Sequence, residues 1–157
     1  MKAFASGILL LFLAVCGFPQ TRAAAPPETS ASEGDRLLGA WRLVSIIGPD
    51  GEPVTSGVPK GMLLYTRDGH MSVQLMYPES GNGLSNEYVQ NGYEASFGSY
   101  DLNPATHTVT HHVQGSVTRG LLVGKDLPRI YQFDRRGRLT IRSARPGERW
   151  SVTWEHY

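Results

Sequence analysis

A chain of 157 residues with one cysteine, and with 15 Lys+Arg against 14 Asp+Glu, excludes several classes at once. So even a charge balance supplies no field to steer nucleic acid or an anionic membrane. A lone cysteine gives no disulfide framework and no thiolate metal site.

The first stretch reads as an export signal rather than as part of a fold. Lys2 precedes the apolar run Gly7–Val15, and Arg22-Ala23-Ala24-Ala25 offers small residues for cleavage, preferred after Ala23 because Pro26 follows Ala25. The run is too short to span a bilayer. Leu13-Ala14-Val15-Cys16 resembles a lipoprotein box that would anchor Cys16 to lipid, but Val15 stands where a small residue is normal, so a plain signal peptide over 1–23 is preferred. Residues 24–34, rich in Pro, Ser and Glu, read as a tether. One domain is expected over 35–157, in a periplasmic or secreted protein without Lys2 and Arg22, which leaves 13 cations against 14 carboxylates.

Beyond the tether, runs rich in Val, Tyr, Thr and Ile alternate with Gly, Pro, Asn and Asp. Eight strands are predicted, at Ala40–Ile47, Gly61–Thr66, His70–Tyr77, Ser96–Leu102, Thr106–Val113, Arg129–Asp134, Arg138–Ser143 and Arg149–His156. Hairpin-like turns fall at Arg67-Asp68-Gly69, Asn103-Pro104-Ala105 and Arg135-Arg136-Gly137. The arginine cluster is thereby explained as a solvated turn. Ser85–Tyr93 is predicted to form a short helix capped by Ser85, a lid, and Gln114–Leu127 a second rim segment.

Alternation assigns faces. Met71, Val73 and Leu75 share one side of their strand and Gln74 the other; Val109, His111 and Val113 share one side, as do Tyr131 and Phe133, and Trp150, Val152 and Trp154. Strands with one apolar face and short links suit an antiparallel up-and-down sheet closed on itself. Eight of them enclose an interior that side chains fill or one small ligand occupies.

The residues also carry a resemblance. Gly39-Ala40-Trp41 is similar to the Gly-x-Trp signature that opens the first strand of lipocalins and related calycin barrels. GAWRLVS, LLYTRDGHMSVQLM (Leu63–Met76), FGSYDL (Phe97–Leu102), THTVTHHVQGS (Thr106–Ser116) and RIYQFDRRGRLTI (Arg129–Ile141) closely resemble the bacterial and fungal lipocalin-like domain family. The resemblance implies an eight-stranded barrel with an internal cavity and little about chemistry. Some lipocalin-like proteins act in natural-product pathways as cyclases or isomerases; the export signal sets this chain apart from that role. No catalytic set is carried over.

Candidate site residues follow from phase. His111 is the candidate cavity donor or general base, against the reading of a hydrogen-bonded core histidine. Arg129, in phase with Tyr131, either holds a ligand carboxylate or packs across Trp41 to close the barrel. Tyr65, Gln74, Tyr88, Tyr93, Tyr100 and Tyr131 are further candidates for polar groups around a cavity. A metal is not expected, because His107 and His111 would stand about 13 Å apart in a strand while His111 and His112 point to opposite faces. His112 would need a distant partner such as His70. No nucleophile elbow, phosphate loop or dinucleotide pattern is present, so no cofactor is called for. The leading expectation is an exported binder of a small apolar or amphipathic molecule. The alternatives are a cofactor-independent isomerase or cyclase using His111, and a structural module whose core is filled by Trp41, Phe97, Tyr131, Phe133 and Trp154.

Overall fold

In a computed structural model, residues 32–55, 57–77 and 85–157 are described. The expected signal segment, Cys16 and most of the tether lie outside the described residues. A short helix α1 (Glu33–Leu37) precedes eight strands: β1 (Gly39–Ile47), β2 (Lys60–Tyr65), β3 (His70–Met76), β4 (Tyr93–Asn103), β5 (Thr108–Ser116), β6 (Asp126–Phe133), β7 (Leu139–Ser143) and β8 (Ser151–His156). Each pairs antiparallel with its sequence neighbour, and β8 returns to β1, so the sheet is a closed barrel with no free edge.

The folded part starts earlier than the expected boundary at residue 35. Ser32 caps α1, its Oγ accepting from the Asp35 N–H at 3.1 Å, and the helix contributes the fully buried Leu37. The expected helix over Ser85–Tyr93 does not form. Asn86 Oδ1 instead accepts from the N–H groups of Tyr88 and Val89 (2.8 and 2.9 Å), and Ser85 Oγ accepts from Asn91, closing irregular turns. Asn91 then takes a left-handed conformation with φ 52°. β4 begins three residues before the predicted start and β6 likewise, while β5 begins two residues later, after a turn in which His107 sits at φ 49°.

Up-and-down order sends alternate links to opposite ends. Three short links (66–69, 104–107 and 134–138), α1 and the C-terminus gather at one end; the described parts of the longer segments (48–55, 57–59, 77, 85–92, 117–125 and 144–150) gather at the other. The short-link end is plugged. Trp41 is fully buried there, its Nε1–H donates to the Leu37 carbonyl (2.9 Å), and the His156 ring covers it at 3.6 Å. Arg36 lies 4.1 Å over the Phe133 ring, and the Tyr131 hydroxyl donates to Glu33 of α1 (2.5 Å). Gly39, at φ 117°, makes the bend from α1 into β1, with the His156 ring close to where a side chain would stand.

Two expectations about core filling are corrected. Phe97 points outward and is 50% exposed, since it alternates with the inward Ser96 and Gly98; its ring lies over Gly115. Arg129 does not pack on Trp41, because β6 carries it away from the plugged end; the His156 and Phe133 rings pack on that tryptophan instead. The plug predicts that Trp41→Ala loses roughly 3–5 kcal/mol in urea unfolding, through the cavity it leaves and the lost Leu37 bond. A melt like the parent's would contradict this placement.

Candidate functional site

The half of the barrel beyond the plug is hollow, with a cavity of about 590 Å³. That is within the range of small-molecule sites. Leu63, Val73, Leu75, Ile141 and Val152 supply apolar walls from four different strands. The filled-core alternative is therefore corrected: the large aromatics Trp41, Tyr131 and Phe133 crowd the plug and leave the other half open.

Polar groups reach this cavity at few points. His111 faces in, as its phase requires, and is 7% exposed; its Nε2 and the Tyr65 hydroxyl share a 2.6 Å hydrogen bond. Burial, with the nearby Arg129 cation adding to it, pushes the imidazole down to about 3. His111 is thus held neutral near pH 7. Burial likewise holds the Tyr65 phenol protonated well above its usual range. The pair forms a neutral floor between plug and cavity.

Arg129 lines the cavity on β6, 5% exposed. Its guanidinium lies 4.8 Å from the ring centroids of both Tyr88 and Trp150, and it donates over a long 3.4 Å to the Pro128 carbonyl. Among the described residues it has no ion-pair partner. Stacking on two rings offsets part of the cost of burying the charge, but a desolvated guanidinium with spare donors still favours an anion. Two more groups carry unused capacity. Among the described residues the Trp154 Nε1–H and the Tyr88 hydroxyl are buried without a hydrogen-bond partner, and both residues belong to the cavity lining. Each buried orphan donor costs about 1–3 kcal/mol until something accepts from it.

Glu94 was missed in the sequence. It lies on β4 opposite Leu75 and lines the same cavity, where burial pushes its carboxyl up to about 7 against the opposing pull of Arg129. The signal was alternation: Glu94, Ser96, Gly98 and Tyr100 are in one phase, but a strand begun at Ser96 omits the first of them.

The remaining expected residues separate. Tyr88 lines the cavity at its mouth. Tyr65 lies beneath it, in contact through His111. Tyr131 is 1% exposed and belongs to the plug, and Tyr100 donates to the Thr66 carbonyl (3.0 Å) and packs edge-on against Tyr65. Gln74 is exposed on the outer face, and Tyr93 is also outward, 40% exposed. None of these three tyrosines nor Gln74 borders the cavity. His112 is outside the wall, between Asp126 (2.7 Å) and Asp101 (3.0 Å), whose hydrogen bonds raise its pKa; His70 pairs instead with Asp68 at 3.3 Å.

Fold and site together define a closed eight-stranded β-barrel with an internal cavity. The chain belongs to the family described as a lipocalin-like domain, which matches residues 38–156. Among solved structures it is similar to a lipocalin-like protein from Bacteroides uniformis ATCC 8492, at 14% identity and a TM-score of 0.46, over 78% of this chain and 99% of that one. It is also similar to a DUF4847 family protein from Bacteroides vulgatus ATCC 8482, at 14% identity and a TM-score of 0.44, over 80% and 96% of the two chains. No curated protein matches it.

Glu94 has a consequence for stability. A carboxyl whose folded pKa is raised binds its proton more tightly folded than unfolded, so stability falls as pH rises from the usual carboxylate range through about 7. Glu94→Gln should therefore be about 1–3 kcal/mol more stable than the parent near pH 8 and close to it near pH 5. Denaturant unfolding at both pH values checks this; equal stability at high pH would mean the carboxyl is solvated.

Proposed function

We propose that this protein is an exported binder that holds one small amphipathic molecule, its apolar body against the aliphatic walls and its polar end at Arg129. The observation that carries the reading is the cavity itself, with aliphatic walls and the buried Arg129 guanidinium in its lining. Membership of a lipocalin-like family is compatible with ligand binding. The Lys2-led apolar run and the small residues at Ala23–Ala25 support export to the periplasm or beyond. No helix among the described residues is long and apolar enough to cross a membrane.

The isomerase reading rested on His111 as proton carrier, and that imidazole is held neutral near pH 7 in its bond to Tyr65. Binding without turnover needs only the groups already described.

The test uses phenylnaphthylamine, an uncharged dye that fluoresces in apolar cavities, against the full chain and Ser96→Phe. Ser96 is 5% exposed and lines the cavity, so the new ring projects into the space a ligand needs. The parent is expected to bind the dye, and the variant to lose at least about tenfold in affinity, about 1.4 kcal/mol, while still folding. Equal binding by both would place the dye on the surface and count against the cavity.

A further inference from the structure

We propose that the natural ligand is an organic acid, bound as its anion between Arg129 and Glu94, and that Glu94 accepts a proton as the anion enters. This rests on the cavity being the binding site.

Arg129 and Glu94 line one cavity from β6 and β4, yet they form no ion pair. Two opposite charges facing a shared low-dielectric space without touching leave a gap that a ligand's charged group can fill. The guanidinium offers several N–H groups and no acceptor, and it is 5% exposed with no ion-pair partner among the described residues. It selects a group rich in acceptors, and a carboxylate or sulfonate presents a planar or tripodal set to an arginine. The stacked rings of Tyr88 and Trp150, 5.8 Å apart edge-on at the mouth, suit a flat or apolar body behind that group.

Glu94 decides when the anion is welcome. Ionised, it cancels the Arg129 charge and repels an anion. Protonated, it no longer offsets the Arg129 charge and adds one more donor, while Glu87 and Glu148 at the rim are engaged by Arg145 and Trp150. Its carboxyl, pushed up to about 7 by burial, changes state near neutrality, and an anion beside it raises that value further. The other groups facing the cavity do not follow. His111 on β5 stays neutral, pushed down to about 3, and the Tyr77 phenol beyond β3 is held protonated by burial and by Glu94. Glu148 at the rim accepts from Trp150 Nε1 (2.9 Å) and is held below its usual range, while Glu87 pairs with Arg145 at 2.7 Å. Asp50 and Glu52 lie on the exposed 48–55 rim. His112 is outside the wall, between its two aspartates.

Two dyes of one shape separate charge from fit: anilinonaphthalene sulfonate, whose sulfonate stays ionised throughout, and uncharged phenylnaphthylamine. Titrated into the full chain, the sulfonate should bind at least about tenfold more weakly near pH 8.5 than near pH 6, because one proton must be taken up for each anion. The uncharged dye should bind alike at both. Glu94→Gln should hold the sulfonate at its low-pH affinity throughout. Arg129→Met should weaken the sulfonate at both pH values and spare the uncharged dye. Should Arg129→Met not fold, Arg129→Lys, which keeps the charge and loses the fork, should weaken the sulfonate less than fully. A flat sulfonate profile in the parent, or a sloping one unchanged in Glu94→Gln, overturns the proposal while leaving the cavity intact. Binding of neither dye overturns both readings.

Discussion

Closing β8 onto β1 satisfies the backbone ladder around the whole ring, and with eight strands it fixes the space inside. Every inward position must then either fill that space or border a hollow. This chain divides the two tasks by height. Trp41, Tyr131 and Phe133 stand at the end where the links are short and where α1 supplies Leu37 as a stopper. Above them Val, Leu, Ile and Ser side chains, with Trp154 and a few polar groups, border a hollow rather than fill it. The cavity is therefore a consequence of where the large side chains were spent, and the mouth faces the long links because the plug occupies the other end.

The polar groups make sense only against that dry interior. The His111–Tyr65 pair is self-sufficient: both members are uncharged and bonded to each other, so burial costs little. Arg129 and Glu94 are not self-sufficient. A buried cation held by ring stacking and a long hydrogen bond is weakly compensated, and a carboxyl pushed up to about 7 is poised between its two states. Folding alone gains nothing evident from this arrangement, since an apolar pair would pack there more favourably. Such strain at one place in an otherwise conventional core is what a binding site requires.

The architecture was legible because strand alternation is strict and glycine-rich turns punctuate it; His111 and Arg129 face inward as their phase demanded. What alternation does not encode is height along the barrel. Tyr131 and Arg129 share a face on β6, yet two residues separate plug from cavity. Link lengths carry that information: Tyr131 adjoins the short 134–138 turn, and Arg129 is further along toward the mouth. Gln74 was out of phase with its apolar neighbours and faces solvent accordingly. Glu94 was lost to a strand begun too late. Ser85–Tyr93 misled for a different reason: Asn86 offers its side-chain oxygen to the backbone N–H groups of Tyr88 and Val89, and that local bond competes with helix. The five-residue α1 is too short to show a period, and its anchors, Glu33 to Tyr131 and Leu37 to Trp41, are contacts distant in sequence or revealed only on folding.

The central claim is that the hollow half of the barrel holds a small molecule. Native mass spectrometry of the protein purified from its own source tests it most directly. The account predicts a discrete mass above the polypeptide, in one-to-one ratio, that is released as an anion on activation and is absent from Arg129→Met. Repeated preparations of bare polypeptide, with nothing released, would contradict it.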